Sequence, residues 1–406
     1  MKYRDFVDLS YRPSESDIVC DFLVEPSDMD LDEAAGGVAA ESSIGTWTKL
    51  TTLRKYVKGL RASVFSMKGS EVRIAYPIEL FEPGNMPNIL SSLAGNVFGL
   101  GSLRNLRLND IHFPEELVKS FRGPRFGIPG IRRILKVPKR PLVGTIIKPK
   151  LGLGTRDHAR VAYDAWIGGC DIVKDDENLS SQSFNPFENR VVETLKRRDE
   201  AEEVTGERKV YMVNVTAETQ EMLRRAQFVA DQGGEYIMVD ILTCGFSALQ
   251  TLRNREFDLV IHAHRAGHAA FTRNPRHGVS MKVIAKLVRM IGCDQLHVGT
   301  AVGKMSETRE EVVDNRDALR KDMYGLRPVL PVASGGIHPV LVPALMEIFG
   351  NDFVIQAGGG IHGHPNGTVS GAKAMRQAVD AVMQGHSLEE YANSYRELRE
   401  ALDTWK

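Results

Sequence analysis

From about residue 142 onward, short apolar runs alternate with longer stretches whose apolar residues recur at spacings of three and four. That rhythm predicts repeated βα units feeding a parallel sheet. Eight runs stand out: LVGTII (142–147), CDIV (170–173), VYMVNV (210–215), YIMVDI (236–241), DLVIHA (258–263), QLHVG (295–299), VLPVA (329–333) and DFVIQA (352–357). Between them lie helix-like stretches such as ARVAYDAWIGG, EMLRRAQFVADQGG, MKVIAKLVRMIG and LVPALMEIFG, each with glycine near its C-terminal end. Eight units in series predict an α/β fold with a closed (β/α)8 TIM barrel rather than an open sheet.

Residues 1–125 show another pattern. YRPSESDIVCDFLVEP and SVFSMKGSEVRIAYPIELF predict strands and DLDEAAGGVAAESS a helix, which together predict an α+β domain on an antiparallel sheet. The stretch 121–141, FRGPRFGIPGIRRILKVPKRP, carries so many Pro and Gly residues that it is expected to be an irregular link. The expected division is therefore 1–125 and 126–406, the barrel ending in a terminal helix over SLEEYANSYRELREALDTWK.

Barrel enzymes carry their chemistry at the C-terminal ends of the strands. Here those positions are loaded with Lys148 and Lys150, then Lys174, Asp176 and Glu177, then Asn214, His264 and Arg265, His297, Ser334 with Gly335 and Gly336, and Gly358, Gly359 and Gly360. A run such as KDDEN is a solvated turn in most contexts, but a ring of polar residues at one rim is hard to explain as packing. Lys174 and Asp176 share a face of an extended chain, and Glu177 is next in line. The two carboxylates would suit a hard cation such as Mg²⁺. Lys174 would pair with them as an ammonium, or add a third oxygen ligand if CO₂ converted it to a carbamate.

The glycine-rich segments ASGGIHP and QAGGGIHGHPNG suit phosphate, since backbone N–H groups can approach an anion closely there, although such turns also arise for steric reasons alone. Arg265 and His297 could take a second phosphate. Together these sites imply a substrate with phosphate at both ends. Lys304, in HVGTAVGKMSE, is a solvated loop lysine or, between Gly299 and Gly303, an electrophile that closes over the site. His262 reads as a strand residue, His268 and His277 as structural, and His338, His362 and His364 have no assigned role.

Lys+Arg and Asp+Glu balance at 52 each, so no basic field would draw nucleic acid or an anionic membrane. Cys20, Cys170, Cys244 and Cys293 form no CxxC pair, which argues against a zinc site or disulfide scaffold. The opening MKYRDFVDLSYRPSE lacks the apolar core of a signal peptide, and no apolar run approaches the roughly 20 residues of a membrane span. A soluble, cytoplasmic protein with reduced cysteines is expected.

The runs AAESSIGTW, AGNVFGL, GTIIKPKLGLG, GGCDIVKDDEN, HAHRAGHAAFTRNP, HVGTAVGK, ASGGIHP and QAGGGIHGHPNG together resemble the large subunit of ribulose-1,5-bisphosphate carboxylase/oxygenase (RuBisCO). The resemblance covers nearly the whole chain in order, and is greatest to the archaeal form III type in HAAFTRNP and DQLHVGTAVGKM. It implies ribulose-1,5-bisphosphate, CO₂ and O₂ as reactants and 3-phosphoglycerate as product. It further implies Mg²⁺ held by a carbamate on Lys174 with Asp176 and Glu177, the carbamate also removing the C3 proton. His264 and Ser334 would contact sugar hydroxyls, Lys304 would stabilise the new carboxylate, and Lys148, beside Lys150, would protonate the leaving carbanion. One phosphate would lie on Thr46, Trp47, Gly336, Gly358 and Gly359, and the other on Arg265 and His297.

In this family the counterparts of Glu41, Thr46, Trp47 and Asn96 complete the neighbouring subunit's site, which implies a homodimer, open to higher (L2)n assembly and without a small subunit. Taken alone, Trp47 reads as core and Glu41 as a surface charge. The form III likeness also implies nucleotide ribose salvage. Ile146 and Gly267 depart from the residues common in plant enzymes, and little chain lies beyond Trp405 to seal a closed lid. RuBisCO-like enolases or isomerases of sulfur-containing sugar phosphates, and a non-catalytic phosphosugar-binding protein, are the alternatives. Retention of Lys304, Glu41 and Asn96 favours carboxylation over the first, and the intact Lys174, Asp176 and Glu177 cluster over the second.

Overall fold

The computed structural model describes residues 1–304 and 306–405 and divides the chain into two compact units. The first comprises Met1–Arg122, Gly267–Ile291 and Met323–Gly325, and the second comprises the rest. Two segments within the range expected for the barrel thus cluster with the first unit.

The first unit is built on a sheet of β1 (Ile18–Pro26), β2 (Ser63–Lys68), β3 (Glu71–Tyr76) and β4 (Leu103–His112). β1 lies between β3 and β4, antiparallel to both, and β2 continues the sheet beyond β3. Cys20, Phe22 and Val24 alternate along the buried face of β1. The helix Leu31–Glu41 is capped by Asp30, whose carboxylate accepts from Glu33 N, and buries every residue from Ala34 to Ala40. Gly36 is obligatory there, because a Cβ would stand 2.2 Å from the Tyr3 carbonyl oxygen.

The barrel closes through β5 (Leu142–Ile146), β6 (Ile172–Lys174), β7 (Val210–Asn214), β8 (Tyr236–Asp240) and β9 (Val260–His264). The two-residue β10 (Gly278–Val279) joins the edge of the first sheet, parallel to β4. β11 (Gln295–His297), β12 (Leu330–Ser334) and β13 (Val354–Ala357) complete the barrel, all of whose pairings are parallel. All eight expected runs are strands, with ends shifted by a few residues. The shift with a chemical consequence is at β6: Lys174 is the strand's last residue rather than the first of a rim turn.

Strand periodicity sorts the barrel interior into two halves. The opening residues Leu142, Ile172, Val210, Tyr236, Val260, Leu330 and Val354 share one apolar cluster with Met212, Met238 and Val332. Continuing every second residue along the same strands reaches Lys174, Asn214, Asp240, His264 and Ser334. The interior is therefore apolar at the N-terminal ends of the strands and polar at the C-terminal ends.

The 121–141 stretch is not wholly irregular: Gly127–Leu135 is a helix. Its Pro129 falls in the first turn, where a missing N–H breaks no intrahelical bond. The Asp294 carboxylate accepts from Phe126 N at 2.6 Å and Gly127 N at 2.8 Å, satisfying two donors at that end. Ile131 and Leu135, four residues apart, join the apolar cluster at the N-terminal end of the barrel; burying each contributes about 1.5–3 kcal/mol.

The C-terminal stretch is two helices, Leu388–Ala392 and Arg396–Thr404, rather than one. Tyr395 is extended between them and stacks on Tyr391 with ring centroids 4.4 Å apart. All four cysteines are free thiols, and no helix of the described residues is long and apolar enough to cross a membrane.

Candidate active site

The KDDEN run divides its carboxylates between two environments. Asp175 points away from the barrel mouth into a buried nest, where it accepts from Tyr211 Oη at 2.6 Å and from Asn214 N at 3.0 Å. His158 Nε2 lies 3.1 Å and Arg190 Nε 3.3 Å from the same carboxylate. Burial is the largest influence and opposes its charge, but Arg190, His158 and Tyr211 prevail and hold its pKa at about 2. Asp175 therefore anchors the segment that carries its neighbours. Sequence reasoning assigns it no role; the signal that could have found it is the alternation that sets Asp175 on the opposite face from Lys174 and Asp176.

Lys174 is buried, and its Nζ donates to the Asp175 carbonyl oxygen at 2.8 Å and to Met238 Sδ at 3.1 Å. The Glu177 carboxylate is 3.7 Å away. A thioether is a poor partner for an ammonium. Burial pushes the Lys174 pKa down, against the pull of Glu177, Asp176 and Asp240. That shift makes the ammonium easier to deprotonate than an exposed lysine's. A carbamate there, with Asp176 and Glu177, would give an all-oxygen donor set, which fits Mg²⁺.

Asp176 is buried and accepts from Lys148 Nζ at 2.8 Å, while Lys150 Nζ reaches Asn178 Oδ1 at 3.3 Å. Asn214 ties the loop down through its Nδ2, which donates to the carbonyl oxygens of Glu177 at 3.1 Å and Leu179 at 2.9 Å. Lys148 also passes close to Gly358, where a Cβ would stand 3.1 Å from its Cε.

His264 donates from Nδ1 to Asp240 at 2.6 Å and turns Nε2 toward Glu177, 3.7 Å away. His297 and Ser334 share a 2.6 Å hydrogen bond between Nδ1 and Oγ. The His297 ring lies edge-on to those of His262 and His264, with centroids 4.7 and 4.8 Å apart. Burial, then the neighbouring histidines, Lys174 and Arg265, push the His297 pKa well down, so it meets a ligand as a neutral imidazole. Arg265 is buried and paired with Glu307.

Lys304 is exposed, and its backbone N donates to Gly335 O at 3.1 Å. A Cβ on Gly303 would stand 2.0 Å from that same oxygen, and one on Gly336, whose φ is +75°, would stand 3.0 Å from Lys304 N. These glycines let the Lys304 loop rest directly on the turn after β12. His362, which has no role on sequence grounds, is structural: its Nε2 lies 3.0 Å from the Ile146 carbonyl oxygen, and burial brings its pKa down to about 4.

In the first unit, Trp47 is 82% exposed, which corrects the reading of that residue as core. Thr46 is half-buried and Asn96 exposed, and Glu41 accepts from Tyr3 Oη at 2.7 Å. Asp21, Asp110 and His112 also gather there, but Arg73 and Lys282, each at 2.8 Å, and Lys286 already neutralise them.

Two family models match the chain: "Ribulose bisphosphate carboxylase large chain, catalytic domain" over residues 127–405, and the N-terminal domain of the same chain over residues 5–117. The chain belongs to this family. Among relatives named ribulose bisphosphate carboxylase, that of Methanocaldococcus jannaschii is 50% identical, covering 99% of this chain and 100% of its own. That of Pyrococcus furiosus is also 50% identical, covering 99% and 97%. An octameric RuBisCO structure from Pyrococcus horikoshii superimposes with a TM-score of 0.97 at 49% identity, covering 100% of this chain and 97% of that one. The dimeric archaeal RuBisCO of Hyperthermus butylicus gives 0.93 at 46%, covering 99% of each chain. In RuBisCO terms, the catalytic-domain model spans the barrel strands and every polar residue placed at their ends.

Proposed function

We propose that this chain carboxylates ribulose-1,5-bisphosphate, yielding two molecules of 3-phosphoglycerate, with O₂ as a competing reactant. The observation that carries this reading is the meeting of Lys174, Asp176, Glu177, Lys148 and His264 at the polar end of the barrel, with Lys174 buried among them. Mg²⁺ held by carbamylated Lys174, Asp176 and Glu177 would polarise the C2 carbonyl and C3 hydroxyl.

The chain's own groups divide the remaining tasks. Arg265 and His297 hold one phosphate by N–H donation; Gly336, Gly358 and Gly359 present backbone to the other, with Thr46 and Trp47 of a partner subunit. His264, oriented by Asp240, and Ser334 bind the sugar hydroxyls, with Lys150, Glu41 and Asn96 lining the same substrate. Lys304 meets the carboxylate that forms on CO₂ addition, a charge absent from the ground state and therefore a catalytic contact. After hydration at C3 and cleavage of the C2–C3 bond, Lys148 gives its proton to the departing carbanion. A homodimer with sites shared between subunits, free of a small subunit and able to assemble further, suits the 82% exposure of Trp47. A cytoplasmic setting and a place in ribose salvage belong to the same reading.

Purified protein preincubated with CO₂ and Mg²⁺, then given ribulose-1,5-bisphosphate without oxygen, should form 3-phosphoglycerate, and Lys174→Ala should abolish it. A folded protein that forms none would contradict the proposal.

A further inference from the structure

We propose that Glu307 is an internal competitor for the phosphate subsite, its carboxylate occupying Arg265 until a substrate phosphate displaces it. The inference rests on the reading of Arg265 and His297 as a phosphate-binding pair. Arg265 comes directly after β9 and is almost fully buried, with Glu307 engaging its Nη2. Its Nη1 is also buried and has no partner among the described residues, and neither has His297 Nε2 on the adjacent β11. An arginine so placed keeps donors turned toward a ligand it does not hold.

Glu307 is held in place by its surroundings. Its side chain is only 12% exposed. A Cβ on Gly299 would stand 3.1 Å from its Cδ and 3.3 Å from its Oε1, so the carboxyl lies against bare backbone just after β11, where φ is +94°. The next residue, Thr308, caps the helix Arg309–Arg320: its Oγ1 accepts from Glu311 N at 3.2 Å, and its own N donates to Glu311 Oε2 at 3.0 Å. The capped helix start fixes the chain on one side of Glu307.

A carboxylate on Nη2 and a phosphate dianion on Nη1 of one buried guanidinium repel each other, and that repulsion is little screened there, so the two compete. The neutral His297 adds no second charge to accommodate both. Glu307 therefore lowers the apparent affinity for phosphate in proportion to the time it spends on Arg265. It sits three residues beyond Lys304 on the same connection.

The test is calorimetric titration of the full-length protein with inorganic phosphate, comparing the parent chain with Glu307→Gln and Glu307→Ala. If Glu307 holds Arg265 about nine-tenths of the time, both variants bind phosphate about tenfold tighter, and the gain vanishes when Arg265→Ala is added. The KM for ribulose-1,5-bisphosphate falls in step. Phosphate affinity that is unchanged or weaker in both variants, or a gain that survives Arg265→Ala, overturns the proposal. Absence of carboxylation with the phosphate effect intact would count against the proposed function alone.

Discussion

The Asp240 carboxylate accepts a 2.6 Å hydrogen bond from His264 Nδ1 across two neighbouring strands, β8 and β9. That bond fixes which nitrogen of His264 carries the proton and aims Nε2 at the mouth of the barrel. Asp240→Asn would let the ring turn or change tautomer without emptying the position. The expected result is a fall in kcat of roughly 10–100-fold, the usual scale for residues that orient a site's ligands, with an unchanged melting temperature. Steady-state kinetics at saturating substrate checks it; a kcat within twofold of the parent would show that the bond has no such part.

Asp175 gives a stability prediction. Its pKa is lowered to about 2 from the ordinary 3.8, so its contribution is complete above the unfolded value. That contribution is lost as pH falls from about 3.8 toward 2. Asp175→Asn leaves the buried Arg190 guanidinium without its counter-charge and should cost about 3–5 kcal/mol at neutral pH. Denaturant unfolding at pH 7 and pH 3 reads both effects, and the gap between parent and variant should narrow at the lower pH. A gap that widens would reverse the assignment.

Gly336→Ala tests the seat of the Lys304 loop. Its added Cβ would meet Lys304 N and Cγ at 3.0 Å on a backbone with φ of +75°. Displacing Lys304 by about 1 Å should cost on the order of 100-fold in kcat/KM, with the protein still folded. Turnover equal to the parent's would mean that the loop does its work without resting on that turn.

Leu135→Ala tests the helix at the N-terminal end of the barrel. Leu135 is 2% exposed and packs in one cluster with residues that open the barrel strands. Truncation should destabilise the protein by about 2–5 kcal/mol while leaving KM unchanged, since the polar chemistry lies at the opposite ends of the strands. Thermal unfolding together with kinetics separates the two effects.

The barrel is legible in the sequence because parallel strands covered on both sides read as continuous apolar runs. Its polar rim is legible for the same reason, since Lys148, His264 and Ser334 interrupt those runs at their ends. Lys174 reads as lying just outside its strand because a charge normally ends such a run, whereas here it continues the inward-facing row begun by Ile172. The helix Gly127–Leu135 is hidden by its glycines and Pro129, and only the Asp294 carboxylate, distant in sequence, explains how it starts. β4 escapes notice because LRNLRLNDIH scatters charges along a strand at whose core Leu106 and Leu108 are buried. The partnerships of Asp240 with His264 and of Glu307 with Arg265 depend on strand register and loop path, which no spacing reveals. Trp47 illustrates the opposite case: its type suggests core, and only the family resemblance points to a partner subunit.

Whether the site joins CO₂ to a sugar bisphosphate is read by labelled bicarbonate. With Mg²⁺ and ribulose-1,5-bisphosphate in the absence of oxygen, acid-stable label is expected in the carboxyl group of 3-phosphoglycerate, one label for each bisphosphate consumed. Bisphosphate consumed without label in 3-phosphoglycerate, as an enolase or isomerase would leave it, would contradict carboxylation.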